Sequence, residues 1–147
     1  MTQLTSDRAE TWLRRLLFVL VLWDFGLAVY AIGFPHHVLE LGRFEPQTEP
    51  MWTRGVGLYW AFAGWIQLLA WRSPRRYLLA VQLAILFRWS AAVIDLIEIV
   101  WLLPRPMFYF HYLLGFFVVA NLAIAFAQAR LLTAMNLRWI EFGGREK

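Results

Sequence analysis

Four apolar stretches, Leu16 to Phe34, Trp52 to Trp71, Tyr77 to Leu103 and Met107 to Ala129, take up most of this 147-residue chain. Each is close to the roughly 20 residues needed to cross about 30 Å of hydrocarbon. A backbone in such surroundings must satisfy its own hydrogen bonds, and a single segment does so only as a helix. The expected fold is therefore all-α: one integral membrane domain over residues 1–147, built as a four-transmembrane-helix bundle with short loops. Hydrophobic residues make up 61% of the chain and charged ones 16%, which departs on both counts from an average soluble domain.

The basic residues predict an orientation. Arg8, Arg14 and Arg15 precede the first stretch, Arg72, Arg75 and Arg76 separate the second from the third, and Arg130, Arg138, Arg145 and Lys147 follow the fourth. The other two connections hold only Arg43, Arg54 and Arg105. Basic residues collect on the cytoplasmic side, so both termini are expected there. The net charge of +4 is thus a topology signal, and nucleic acid is not an expected partner. A cleaved signal peptide is the competing reading of the N-terminus, but Asp24 interrupts the apolar run and no A-x-A pattern precedes Pro35.

Asp7 and Glu10 have the spacing of a capping box, which predicts a first helix that begins shortly before the membrane. Residues 35–51 form the predicted outer loop, where Val38, Leu39, Leu41 and Phe44 are spaced for a short amphipathic helix. Trp52, Trp71, Trp101 and Trp139, with Tyr77 and Tyr109, fall near the span ends and read as an aromatic belt. The tail from 131 to 147 reads as a cytoplasmic extension of the last helix, from Leu131 to Phe142, that stops at Gly143 and Gly144.

Chemistry is concentrated in the ionisable residues inside the stretches, which are costly in lipid and face other helices or a cavity. At about 100° per residue, Arg88, Asp95 and Glu98 share an arc of roughly 80° with Ala84, Ala91 and Ala92. The same test groups Asp24 with Ala28 and Ala31, Arg54 with Gly57 and Ala61, and His111 with Gly115 and Ala125. Small residues mark close helix packing. At 1.5 Å per residue, Asp24 and Arg88 both lie within roughly 3 Å of the midplane, which suggests a buried ion pair. Arg54, Asp95, Glu98 and His111 fall about 8 to 13 Å toward the outer side and form a candidate ligand or proton site. Either set also reads as an ion-pair network that only fixes helix register.

Other chemistries have less behind them. The absence of cysteine removes disulfides, thiolate metal sites and quinone-linked thiol oxidases. No metal is expected; His36, His37 and His111 are weak candidate ligands without the spacing of a helical metal site. No cofactor is expected either, although His111 facing Gly115 has the chemistry to ligate a haem or chlorophyll-type macrocycle. Ser90 and Thr53 lack a histidine-carboxylate pattern, so no catalytic residue is assigned. Gly55 and Gly57 read as packing glycines, not as a phosphate loop.

The run Arg54-Gly55-Val56-Gly57-Leu58, with Arg88 and Asp95 further on, resembles small uncharacterised four-helix inner-membrane proteins of bacteria over residues 16 to 100. The resemblance implies a fold and an inner-membrane location, and no activity. The emopamil-binding family also uses buried carboxylates in a compact helix bundle, but its motif does not align. Small multidrug transporters place an acid in helix one, as Asp24 is here, but lack this arginine bias. The expected function is that of a non-catalytic accessory or assembly subunit, with membrane lipids and other transmembrane subunits as partners. A lipid-, quinone- or isoprenoid-binding protein or enzyme is the alternative. A proton-coupled transporter is the third reading, and it requires Asp24 to be free of Arg88.

Overall fold

Five helices make up the described chain in the computed structural model: α1 (Thr2–Gly33), α2 (Pro35–Leu41), α3 (Pro50–Arg72), α4 (Leu78–Leu102) and α5 (Phe108–Ala134). The structure describes residues 2–41, 50–102 and 108–137, with side chains described for 6–40, 50–100 and 112–137. No strand occurs among the described residues. The four long helices run 32, 23, 25 and 27 residues, or about 35 to 48 Å at 1.5 Å per residue. The segments 6–33 and 112–134 are long and apolar enough, by length and composition, to cross a membrane.

α1 packs most extensively on α3, and α4 on α5, while α3 with α4 and α1 with α5 complete a ring. Neighbours in this ring run antiparallel, which the short connection Ser73–Tyr77 enforces between α3 and α4. α1 and α4 therefore lie across the diagonal from each other. At the end where α1 starts, Leu13, Leu17, Ile85 and Leu132 form an apolar core with Ala70 and Ala125. α2 rests on α3 and the end of α1, with Leu39 buried and His36 and Glu40 exposed. Pro35 separates α2 from α1, because a proline nitrogen cannot donate the helical hydrogen bond.

Close approach of α1 and α3 depends on two glycines. A Cβ on Gly57 would stand 2.7 Å from Ile32 Cγ1, 3.1 Å from Ala31 Cβ and 3.2 Å from the Ala28 carbonyl oxygen. On Gly64 it would stand 3.2 Å from the Phe25 ring. The outward faces, in contrast, carry large apolar side chains: Leu86, Val93, Ile97 and Val100 on α4 are each at least half exposed. The inner face of α4 carries Ala84, Arg88 and Ala92, all buried, with Asp95 and Glu98 half-buried.

Three expected boundaries change. α1 is already helical from Thr2, so Asp7 and Glu10 sit within it and do not cap it; both carboxylates face Arg75 instead, at 3.7 and 2.6 Å. α3 begins at Pro50, where proline is compatible with a first turn that needs no N–H. α5 ends at Ala134 and does not continue toward Phe142. Asn136 takes a positive φ of 56°, and its N–H donates to the Thr133 carbonyl at 2.9 Å while the Leu137 N–H donates to that of Leu132 at 3.4 Å. That pair of bonds is a Schellman stop. Leu137 packs against the core that holds Leu132, completing it. Phe44, Glu45 and Glu49 in the loop, and Arg138 to Lys147 with Trp139, Gly143 and Gly144, lie outside the described residues.

Asparagine tolerates a left-handed backbone and a β-branched residue does not. Asn136→Val is therefore expected to cost about 1–2 kcal/mol, and Asn136→Gly little or nothing. Thermal unfolding of the purified variants in detergent reads both. Equal stability of valine and glycine at this position would show that the left-handed stop is not formed.

Candidate functional site

Buried polar side chains from each of the four long helices meet in the middle of the bundle, and the half-buried Asp95 of α4 extends the set. Asp24 on α1 is fully buried and Arg88 on α4 is 4% exposed. Arg88 Nη2 donates to Asp24 Oδ2 at 2.6 Å. The same Oδ2 accepts from Gln67 Nε2 on α3 at 2.6 Å. Arg88 Nη1 donates to Asn121 Oδ1 on α5 at 3.2 Å, and Asn121 Nδ2 donates to Asp95 Oδ2 at 3.4 Å.

Helix placement explains these partners. α1 and α4 are diagonal in the ring, so only a long side chain reaches from one to the other. Arginine does so with a planar fork whose terminal nitrogens serve two acceptors at once. Asn121 sits between a cation and a carboxylate, and its amide presents oxygen to one and nitrogen to the other. Along the order Gln67, Asp24, Arg88, Asn121, Asp95, Gln67 and Arg88 donate, the two carboxylates accept, and Asn121 does both. Asp24 Oδ1, Gln67 Oε1 and Arg88 Nε are buried and make no hydrogen bond to the protein, and so is the hydroxyl of Tyr59, whose ring stacks on Phe87 at 4.2 Å.

Three of the four residues of the candidate outer cluster have described side chains. Asp95 and Glu98 are one turn apart on α4 and half-buried, and among the described residues neither makes an ion pair. Arg54 is exposed and pairs with neither of them. The seam of α3 runs through Thr53, Gly57, Gly64 and Gln67, all buried, and Arg54 projects about 100° away from Thr53. His111 lies near the start of α5, with its side chain outside the described residues. His36 is exposed, and His37 Nδ1 shares a hydrogen bond of 2.8 Å with the Tyr30 hydroxyl. No group of three histidine, aspartate or glutamate side chains is placed to hold a metal ion among the described residues.

Gln67 and Asn121 are the site residues that a reading limited to ionisable side chains passes over. A signal for both exists in the sequence. Gln67 lies about 60° from Gly64 on the small-residue face of its helix, and Asn121 about 40° from Ala125. Two further amides, Gln82 and Gln128, are buried in the apolar core half, where Gln82 Nε2 and both polar atoms of Gln128 lack partners.

Arg88 and Gln67 both donate to Asp24 Oδ2, and Oδ1 has no protein donor among the described residues. The arrangement holds four helices in one register. No family profile, curated protein or solved structure matches the chain.

Proposed function

We propose that the chain is a four-span inner-membrane protein with both termini cytoplasmic, acting as a non-catalytic accessory or assembly subunit of a larger membrane complex. The observation that supports it is the inverted distribution of side chains. Asp24, Gln67, Arg88, Asn121 and Gln128 are buried, while Leu22, Trp23, Val29, Phe62, Ile97 and Val119 are at least half exposed. Lipid or other transmembrane helices are the surroundings in which such an exterior is stable. On α1, Gly26 and Gly33 are exposed and a Cβ on either would meet nothing within 4 Å. Seven residues apart among larger neighbours, they leave a notched face of the kind that receives another membrane helix.

A lipid-, quinone- or isoprenoid-binding role is the second reading, favoured by the half-buried Asp95 and Glu98, which have no cationic partner among the described residues. Proton-coupled transport has less support, because the carboxylate of Asp24 is held by Arg88.

Gentle extraction followed by native mass spectrometry separates the first two readings. Other polypeptides at fixed stoichiometry are expected; the chain alone with a defined small-molecule mass would favour the second. Orientation is tested separately, and the cysteine-free sequence makes single cysteines clean reporters. Glu40→Cys is expected to react with an impermeant maleimide on intact cells, and Ser73→Cys only after permeabilisation. The reverse pattern would refute the assigned topology.

A further inference from the structure

A groove of about 530 Å³ lies at the end of the bundle where α1 begins and α3 ends, lined by Glu10, Arg14, Arg15, Phe18 and Trp71, with Asp7 and Thr11 beside them. Its acids are already engaged. Arg75 Nε meets Glu10 Oε2 at 2.6 Å, and its Nη2 lies 3.7 Å from Asp7 Oδ1 while donating to Ser6 Oγ at 2.9 Å. Among the described residues, Arg14 and Arg15 have no carboxylate partner. Because Arg75, outside the lining, already pairs with both carboxylates, Arg14 and Arg15 are the lining charges left for a ligand among the described residues.

The two arginines are held in place without being used up. Arg14 donates from Nε to the Trp71 carbonyl at 3.1 Å, closing the C-terminus of α3 and leaving its terminal nitrogens without a partner among the described residues. Arg15 lies over the Trp12 ring, 5.2 Å from its centroid. One turn further along α1, Phe18 and Trp71 meet at a centroid distance of 5.3 Å and floor the groove with aromatic surface. From Asp7 to Phe18 the lining changes from charged to apolar over about 16 Å of helix. A phospholipid at the edge of a bilayer changes in the same sense.

We infer that this groove binds the headgroup of an anionic phospholipid, with the phosphate between Arg14 and Arg15 and the first acyl carbons on Phe18 and Trp71. Basic pockets on the cytoplasmic side of membrane helices select such headgroups. The inference rests on the membrane reading above, and it names one partner more closely.

The test uses the full-length protein reconstituted with phosphatidylglycerol and phosphatidylcholine in equal amounts, with retained lipid counted by native mass spectrometry. Phosphatidylglycerol is expected to be retained in preference. Arg15→Gln, which removes no hydrogen bond between helices, is expected to lower that retention about fivefold, and Arg14→Gln with it about fivefold again. Arg130→Gln removes the same charge from α5 outside the groove and is expected to leave retention unchanged. Equal retention of both lipids, or an Arg130→Gln effect as large as that of Arg15→Gln, would overturn the site while leaving the membrane reading intact. Failure of the unmodified protein to float with vesicles of either lipid would remove both.

Discussion

Replacing Arg88 with methionine is expected to destabilise the bundle by about 3–5 kcal/mol, because it strands the carboxylate of Asp24 in the interior. Asp24→Leu strands the guanidinium and should cost a similar amount. The double variant Asp24→Leu/Arg88→Met leaves no uncompensated charge and is expected to be more stable than either single one. Arg88→Lys should fall between, since an ammonium can meet Asp24 but cannot present the planar fork that also serves Asn121. Denaturant titration of the four proteins in the same detergent decides the matter. If the double variant lost as much as the two singles summed, the two side chains would be acting independently and the central ion pair would not organise the bundle.

The second large effect is expected at the α1–α3 contact. A methyl group on Gly57 meets Ile32, whose side chain can swing away, but also Ala31 Cβ and the Ala28 carbonyl at 3.1 and 3.2 Å. Neither of those can move without its helix. Gly57→Ala is therefore expected to cost about 1–3 kcal/mol by overpacking. Gly55→Ala on the same helix, with nothing within 4 Å of its Cβ, should be neutral or slightly stabilising, since alanine is the better helix former. Unfolding midpoints that moved equally for the two variants would mean that α1 and α3 do not approach as closely as described.

How much of this was legible in the chain depends on what kind of signal each residue emits. The helical periodicity of Arg88, Asp95 and Glu98 marks the inner arc of α4, and the opposite residues Leu86, Val93, Ile97 and Val100 are the exposed ones. Charges in apolar runs announce themselves. Amides do not: Gln67 and Asn121 carry the hydrogen bonds that tie α3 and α5 into the centre, yet neither has a charge to balance or a spacing that repeats. Arg54 shows the limit of reading depth alone: the α3 seam is centred on the buried Thr53 and Gly57, and Arg54 beside them is exposed. The stop of α5 carries no glycine; Asn136 supplies the left-handed turn instead.

The order in which the central partners lie along the chain sets a schedule for synthesis. Asp24 is made first, Gln67 follows 43 residues later and Arg88 64 residues later. At roughly 5–20 residues per second, the aspartate is translated about 2–9 s before its amide partner and about 3–13 s before its counter-ion. Within a bilayer the first helix would spend that interval with a carboxylic acid group facing no protein donor. Gln67, arriving on the helix that packs most closely against α1, gives the nascent hairpin a provisional seal, and the arginine then locks a pair that has already assembled. On the membrane reading proposed above, an insertion machinery that shelters the first helix until the second emerges would serve this protein better than one that releases each helix to lipid on arrival.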